Sequence, residues 1–509
     1  MFKQKQVIIN IVWSFVGLIL NTLITMLVLP YISDVLGIEA YGYIALCNNF
    51  ITYIDLISAT INIYAVRFMA MAYHSGEIDK ANQYYNSVFA ANMGLCILTI
   101  GPISFFIYNM DTLLKVPSYL SMDVRVLFVL ILVNYFIGII GTVFNAASFI
   151  KNILYKSTKI AAQATIIKAG LLLVLFSLLK PHVWFVGVAG IVATIYVVFK
   201  NILLIHAYTP EFRFKIRSIS IKSVLEIVKN GVWNTLASLG NTLNSGLDLL
   251  VTNYFLGSST MGVLSVPKTL SVFVTTLLNA VADSFRPQLL LHYTEKRNEE
   301  LEREFIVSMK FCGFFSCVIL CGFCVVGKSF LRLWLPGQNI NLIYELGIIT
   351  FLAETFTGIV KPLHYGCVLT GKLKIPCLWN FGIGMFNIFS MIYLLQYTSL
   401  EIYAVVWTTV FGNVFYNFII MPIYVTNILS IKRIKIYKII FRYFLTSGMM
   451  LIIMNIFGKF YLAGNWIELV VKIIYVGIIG MMIYVLLMLD KNEWLDLVRK
   501  MKKMLKLYS

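Results

Sequence analysis

The chain has 509 residues, of which 60% are hydrophobic and only 13% are charged, and its formal net charge is +18. Water-soluble domains carry about 25% charged residues, so a soluble globular protein is excluded and most of the chain is predicted to lie in a lipid bilayer. The basic excess could indicate nucleic-acid binding, but the basic residues concentrate on alternate connections, which is typical of membrane topology.

Long apolar runs follow one another from residue 8 to residue 489. A membrane-spanning helix needs roughly 20 apolar residues, and about fourteen runs have that length. They do not alternate with a period of two residues, so they predict helices and not the strands of a barrel. The predicted spans are 8–30, 41–68, 86–108, 124–148, 158–179, 183–205, 226–252, 262–285, 306–330, 342–366, 375–396, 400–426, 437–460 and 466–489.

The connections between these spans differ in charge. Those on one side hold most of the lysines and arginines, and those on the other side hold few. The positive-inside rule therefore predicts that both termini lie in the cytoplasm, with contacts to anionic membrane lipids on that side. The first apolar run is too long for a signal peptide and no small-residue cleavage site follows it, so no cleaved leader is expected.

The chain contains an internal repeat with an offset of 220 residues. "NIVWSFVGLILNTLITMLVLPYISDVLGIEAYG" at 10–42 aligns without a gap with "NGVWNTLASLGNTLNSGLDLLVTNYFLGSSTMG" at 230–262, and roughly a third of the positions are identical. The shared residues include Asn, Trp and Gly, which are more informative than leucine in a membrane protein. Because six spans separate the two copies, they run in the same direction. This predicts parallel repeats, as in several transporter folds.

The repeat divides the chain into segments. An N-terminal lobe of six helices is predicted at 1–206 and a C-terminal lobe of six helices at 207–426. Two additional helices follow at 427–490. The basic tail at 491–509 has apolar residues at helical spacing, which predicts an amphipathic helix on the inner leaflet. The predicted fold class is therefore an all-α polytopic membrane protein with about 14 transmembrane helices in two parallel-repeat lobes plus two C-terminal helices.

Polar residues within the spans identify a candidate site, because a charge at the bilayer centre costs about 2.5–3.5 kcal/mol on insertion scales. The first two helices of each predicted lobe carry polar stripes, which predicts a water-accessible cavity between the lobes. The predicted substrate-cavity residues are Lys268, Lys168, Arg67, Arg286, Asn21, Asn241, Asn48 and Asn279. The acids Asp55, Asp248, Asp283 and Glu354 are predicted coupling-ion sites or counter-charges.

Two simpler interpretations of these residues stay open. The Asn, Ser and Thr side chains could only join helices through hydrogen bonds. Each charged side chain could belong to a structural ion pair, and Asp248 and Lys268 lie at a similar predicted depth. If the cations face a cavity, they would attract an anionic substrate.

Enzymatic chemistry finds little support in the sequence. The chain has no P-loop for ATP, and its five histidines lie at predicted loops or helix ends and form no metal-ligand spacing. Cys321 and Cys324 form a CxxC pair, but buried cysteine is usually an inert apolar residue. No catalytic residue, metal or cofactor is predicted.

The region 10–80 resembles the polysaccharide flippases of O-antigen and capsule assembly, the Wzx-type branch of the multidrug/oligosaccharidyl-lipid/polysaccharide exporter superfamily. The likeness rests on "LPYISDVLGIEAYGYIAL" after the first predicted helix and on "RFMAMAYHSGEIDKANQYY" before the third. The predicted arrangement of fourteen helices in two lobes extends this likeness to the whole chain. Members commonly carry arginine where this chain has Asp34, so no role of that arginine is carried over.

The resemblance implies a transporter and not an enzyme. It would move undecaprenyl-diphosphate-linked glycan from the inner to the outer leaflet of the bacterial cytoplasmic membrane by alternating access, driven by H⁺ or Na⁺ and without ATP. A drug or metabolite exporter of the same superfamily is the first alternative, although that branch usually has twelve helices. A membrane enzyme of polysaccharide assembly, a polymerase or acyltransferase, is the second.

Overall fold

The structure is a computed structural model that describes residues 2–458 and 464–488, with some side chains before residue 19, between 57 and 63, and between 230 and 234 not described. All regular secondary structure in these residues is helical. In the described residues, eleven helices are long and apolar enough to cross a membrane, or twelve if one bent pair forms a single span. The predicted fold class is confirmed, whereas the count of fourteen spans stays a prediction. The predicted amphipathic tail at 491–509 lies outside the described residues.

Each predicted span has a helical counterpart. The main helices are α1 (Phe2–Val35), α2 (Ile38–His74), α3 (Ile78–Tyr108), α4 (Ser121–Gly141), α5 (Leu154–Leu178), α6 (Phe185–Tyr208), α7a (Ile221–Asn241), α7b (Asp248–Leu256), α8 (Ser258–Asp283), α9 (Asn298–Trp334), α10 (Ile340–Val360), α11 (Lys374–Tyr397), α12a (Ile402–Val414), α12b (Met421–Leu429), α13 (Arg433–Gly458) and α14 (Trp466–Met488). α2 bends by 51° between Ile38–Leu56 and Thr60–His74.

Short elements extend or join these helices. α4 continues through a 3₁₀ turn, Thr142–Asn145, into Ala146–Ile150, and α8 is followed by the short helix Arg286–Thr294. α10 continues through Lys361–Leu363 into His364–Thr370. The chain divides into two compact units, residues 1–265 and 266–509. The predicted lobe boundaries at 206 and 426 stay predictions.

The turn between α1 and α2 and its repeat between α7b and α8 both contain a glycine in the left-handed region. Gly37 has φ 89° and Gly257 has φ 96°, a conformation that glycine adopts without a Cβ penalty. Five residues after each turn glycine, Gly42 and Gly262 pack against each other within the first unit. A Cβ on Gly42 would lie 2.9 Å from the Cα of Gly262. The repeated motif therefore supplies both a tight reversal and a close contact between its two copies.

The seventh helix is continuous in the prediction but broken in the structure. α7a ends at Asn241, a π turn covers Thr242–Gly246, and α7b begins at Asp248. A π turn leaves backbone groups without their usual helical partners. The hydroxyl of Tyr53 donates to the Gly246 carbonyl oxygen at 2.6 Å, and the Asn49 amide donates to the same oxygen at 3.2 Å. Two side chains of α2 thus cap the break, which local periodicity does not reveal.

The core of the second unit is centred on α9, which packs against α10, α13 and α14. Small residues let the backbones approach closely: a Cβ on Gly358 of α10 would lie 2.6 Å from the Cβ of Ser316 of α9. Ser316 hydrogen-bonds the Tyr443 hydroxyl at 2.9 Å, and the Tyr484 hydroxyl donates to the Lys310 carbonyl oxygen at 2.7 Å. The two C-terminal helices are therefore part of this core.

Three helices of the first unit meet in a buried amide network. The Asn92 amide of α3 donates to the Asn62 side-chain oxygen of α2 at 3.0 Å and to the Ile139 carbonyl oxygen of α4 at 2.9 Å. The Thr142 hydroxyl donates to the same Asn62 oxygen at 2.8 Å. Every hydrogen-bonding group is matched, as burial in an apolar surrounding requires.

Asn92→Ala should lower the free energy of unfolding by about 1–3 kcal/mol, because it leaves buried partners of Asn92 without a hydrogen bond. The measurement is the midpoint of thermal unfolding of the purified protein in detergent. Asn341→Ala is the matched control, since Asn341 is exposed. Equal midpoints for the two variants would show that the network contributes nothing to stability.

Candidate functional site

The first unit carries one exposed acid on α2, Asp55, with two hydroxyl groups beside it. The Ser58 hydroxyl donates to Asp55 Oδ1 at 2.5 Å, and the Tyr135 hydroxyl of α4 lies 3.3 Å from the same oxygen and 3.0 Å from Ser58 Oγ. Asp55 remains exposed although it lies in a strongly apolar helix. An ionised carboxylate there is stabilised by two hydroxyl donors and is accessible to a second ligand. Tyr135 and Ser58 were missed in the sequence, because their role depends on which helices are neighbours.

The polar stripe predicted for the seventh helix divides into two environments. Asn241 and Ser245 are exposed, whereas Asp248 and Thr252 are buried. The π turn explains the difference, since its wider turn changes the register of residues on either side. The Asn234 side chain lies outside the described ones. The pairing of Asp248 with Lys268 stays a prediction.

The second unit holds an acid–base cluster between α8 and α10. The Ser271 hydroxyl donates to Glu354 Oε1 at 2.8 Å. Lys361, the residue directly after α10, interacts electrostatically with Glu354 and with Asp283. Two of the acids predicted from the sequence thus share one basic partner. Glu354, Asp283 and Lys361 thus form one group of interacting charges in the second unit.

An amide network continues this cluster. The Asn417 amide donates to the Thr357 hydroxyl at 3.3 Å, and Asn417 Oδ1 lies 3.1 Å from His364 Nε2. The Arg286 guanidinium lies over the Tyr365 ring, 5.4 Å from its centre. His364 is the first residue of the short helix His364–Thr370, which agrees with its predicted place at a helix end.

The remaining predicted residues occupy varied surroundings. Lys168 and Lys268 are half-buried, and the others are exposed. The Asn21 and Asn48 carbonyl oxygens accept hydrogen bonds from the hydroxyls one turn later. Whether these side chains face one cavity stays a prediction. The exposed predicted residues are Asn21, Asn48, Arg67, Asn241 and Asn279.

The cysteines of the CxxC region lie among apolar side chains. Cys317 Sγ is 4.0 Å from Cys321 Sγ and 3.4 Å from Met450 Sδ, and Cys324 is half-buried. Among the described residues, no group of three or more His, Cys, Asp or Glu side chains is placed to hold a metal ion.

Comparison with known proteins identifies the family. The family model described as "Polysaccharide biosynthesis protein" matches residues 7–288, which is more than half of the chain. The chain belongs to this family. A curated relative, "Uncharacterized membrane protein EpsK" of Bacillus subtilis, is 25% identical over 425 residues, covering 84% of each chain.

Two kinds of solved structure share the fold. "Lipid II flippase MurJ, inward closed conformation" is 13% identical, matches 97% of this chain and 99% of its own, and has a TM-score of 0.67. An inward-facing "multidrug resistance MATE family transporter of the MOP superfamily" is also 13% identical, matches 82% of this chain and 96% of its own, and has a TM-score of 0.64. The predicted family is thus confirmed by the family model, and these two structures show that the chain shares their fold.

Proposed function

We propose that this protein is a flippase for a lipid-linked oligosaccharide, most simply a glycan on undecaprenyl diphosphate. It moves the lipid-linked glycan from the inner to the outer leaflet of a bacterial cytoplasmic membrane, with both termini in the cytoplasm. The observation that carries the proposal is membership of the polysaccharide biosynthesis family in a chain with the fold of a lipid II flippase. The transported glycan would serve assembly of a surface polysaccharide, such as O-antigen or capsule.

The side chains suit such a substrate. A diphosphate needs cationic partners, which Lys168, Lys268, Arg67 and Arg286 would supply near the transport path. The glycan needs hydrogen-bonding groups, for which Asn21, Asn48, Asn241 and Asn279 are candidates. The lipid tail needs no polar site, since it can stay in the bilayer. Alternating access would then come from movement of the two predicted repeats.

Transport against a gradient needs an energy source. The chain contains no P-loop motif for ATP, so H⁺ or Na⁺ coupling is proposed. Acids within spans are typical of proton and cation pathways. Asp55, Asp248, Asp283 and Glu354 are the candidates, and of these Asp55 and Asp283 are exposed. Asp55 also has two hydroxyl neighbours.

An ion-coupled drug or metabolite exporter is the second candidate. The match to the MATE structure covers 96% of that chain but only 82% of this one. The match to the MurJ structure covers 97% of this chain. The two C-terminal helices, which belong to the core of the second unit, therefore favour the flippase. A membrane enzyme of polysaccharide assembly is the third and is not favoured by any geometry described.

A transport assay in proteoliposomes separates these candidates. The probe is a fluorescent undecaprenyl-diphosphate oligosaccharide, and the readout is loss of fluorescence to a membrane-impermeant reductant. We expect the protein to move the probe between leaflets and the Lys268→Ala variant to do so at least about tenfold more slowly, a barrier change of about 1.4 kcal/mol. Transport of a cationic dye instead of the lipid-linked probe would support the exporter.

Deletion of the gene in its host is the complementary test. If the proposal holds, lipid-linked glycan accumulates on the inner leaflet and surface polysaccharide is lost. Normal amounts of surface polysaccharide, with no accumulated lipid-linked precursor, would contradict it.

A further inference from the structure

The connection from α6 into the first turn of α7a, residues 209–225, is held along α3, and we call it the linker strap. The Asn82 amide donates to the Glu211 carbonyl oxygen at 2.8 Å, and its oxygen accepts from the Arg213 backbone N–H at 2.9 Å. Asn86, one turn later, donates to the Arg213 carbonyl oxygen at 3.1 Å and accepts from the Lys215 N–H at 2.8 Å. The two asparagine side chains thus bond the backbone of every second residue of the strap, Glu211, Arg213 and Lys215. This resembles the backbone pairing between neighbouring strands of a sheet.

Further contacts extend this attachment in both directions. The Phe212 side chain is buried between aromatic rings of the first unit. Ser87 Oγ accepts from the Ser220 backbone N–H at 2.8 Å, and the Tyr84 hydroxyl donates to Glu226 Oε2 at 2.8 Å. The backbone of the strap is therefore positioned by several specific bonds, and the side chains that point away from α3 are presented in a defined arrangement.

The outward side chains of the linker strap are large and apolar. Phe214 is 56% exposed, Ile216 72%, Ile221 76% and Leu225 61%. Phe214 also contacts the Phe89 ring, with 5.1 Å between ring centres, which supports it from behind. A cluster of this kind on a soluble surface would mark an interaction site.

Basic side chains alternate with these apolar ones. Arg213, Lys215, Arg217 and Lys222 are all exposed, and the one acid in the strap sequence, Glu211, accepts from the Tyr73 hydroxyl at 3.4 Å. Within the part of the chain that the structure describes, none of these four side chains has an ion-pair or side-chain hydrogen-bond partner. The strap therefore presents four unneutralised charges together with exposed apolar groups.

The position of the strap relative to a bilayer follows from α3. This helix has 31 residues and is thus about 46 Å long, whereas the hydrocarbon core is about 30 Å thick. The predicted span in α3 begins at residue 86, so the eight residues before it, about 12 Å of helix, extend beyond the core on this side. Asn82 lies in this extension and Asn86 at its inner end, so we expect them to hold the strap near the boundary between headgroups and hydrocarbon.

We propose that the linker strap binds the anionic lipid headgroups of the leaflet it lies in. Phe214, Ile216, Ile221 and Leu225 enter the boundary of the acyl chains, and the four basic side chains extend to lipid phosphates, as interfacial segments do. The C-terminal tail of this chain is an unsuitable occupant because it is itself rich in lysine. Since the strap leads directly into α7a, lipid binding would fix the start of that helix at a defined depth.

Hydrogen exchange of the full-length protein in lipid nanodiscs tests this proposal, with residue-resolved mass spectrometry. The discs contain either phosphatidylcholine alone or equal parts of phosphatidylcholine and phosphatidylglycerol. We expect the amides of Phe214, Ile216 and Arg217 to exchange at least about threefold more slowly with the anionic lipid, and high salt to reduce the difference. Equal exchange in both lipids would overturn the proposal.

Variants assign the effect to the strap. Combined Arg213→Gln, Lys215→Gln, Arg217→Gln and Lys222→Gln should abolish the dependence on phosphatidylglycerol. The matched control changes four exposed lysines elsewhere to glutamine, Lys296, Lys372, Lys432 and Lys438, and should retain it. A retained dependence in the strap variant, or a lost one in the control, contradicts the proposal.

An internal control shows whether the strap stays docked in each variant. The N–H groups of Arg213 and Lys215 are bonded to Asn82 and Asn86, so they should stay protected in every lipid. A separate Ile216→Ser and Ile221→Ser variant tests insertion and should also lose the lipid-dependent protection. Full protection in that variant would show that the apolar side chains do not enter the membrane.

Discussion

Asp55→Ala is expected to lower the transport rate at least about tenfold, a barrier increase of about 1.4 kcal/mol, while the amount of protein in the membrane stays near the wild-type level. The reason is the setting of the carboxylate. It lies in an apolar helix where charge is costly, yet it is exposed and accepts from Ser58 and lies beside Tyr135. Because this carboxylate is not buried in a structural pair, we propose that it serves a ligand.

The measurement is transport of the fluorescent lipid-linked probe in proteoliposomes, normalised to reconstituted protein. Asp79→Ala is the matched control, because Asp79 is an exposed acid in the first turn of α3 and should transport normally. Asp55→Asn separates charge from hydrogen bonding, and we expect it to be as impaired as Asp55→Ala. Wild-type transport in Asp55→Ala would remove Asp55 from the proposed site.

Gly262→Ala should lower the free energy of unfolding by about 1–3 kcal/mol or more, the range expected for an overpacked contact. The added Cβ would lie 2.6 Å from the Ile38 carbonyl oxygen and 2.8 Å from its carbon. These are backbone atoms, which cannot turn away as a flexible side chain can. The contact between the two copies of the repeated motif would have to open, with loss of the packing around Gly42.

The midpoint of thermal unfolding in detergent measures this effect, together with the yield of monodisperse protein. Gly94→Ala is the control, because a Cβ at Gly94 would meet no described atom within 4 Å. Alanine is favoured over glycine within helices, so that control should be as stable as wild type or more so. If Gly262→Ala matches it, the close contact is not a constraint on stability.

Properties that depend on local sequence were predicted well. The helical fold class follows from apolar runs longer than a bilayer is thick. The repeated motif follows from its recurrence, and Gly37 and Gly257 adopt positive φ values that glycine tolerates readily. These features depend on a few residues that are close in the sequence, so they do not depend on how the helices pack against one another. The predicted end of the first span at residue 30 was wrong, because α1 continues through Pro30 to Val35.

The candidate site was predicted less completely, and particular residues show why. Asp55 was identified because a charged side chain in a membrane span has a high energetic cost. Tyr135 was not identified, because a tyrosine in an apolar helix indicates no site unless α4 is known to lie beside α2. His364 was placed near the end of the predicted span 342–366, but no pattern indicated its contact with Asn417. The 3₁₀ turn Lys361–Leu363 leads into the helix His364–Thr370 and brings His364 to Asn417.

By itself, the sequence determined that this chain is a helical membrane protein with an internal repeat. Only the tertiary structure decided which polar groups meet, where the seventh helix breaks, and that the linker strap lies along α3. The physical reason is that lipid solvates the apolar faces of different helices almost equally. Which helices pack together therefore depends on scattered small and polar residues, such as Gly42 and Asn82. Their contacts exist only once the helices have packed.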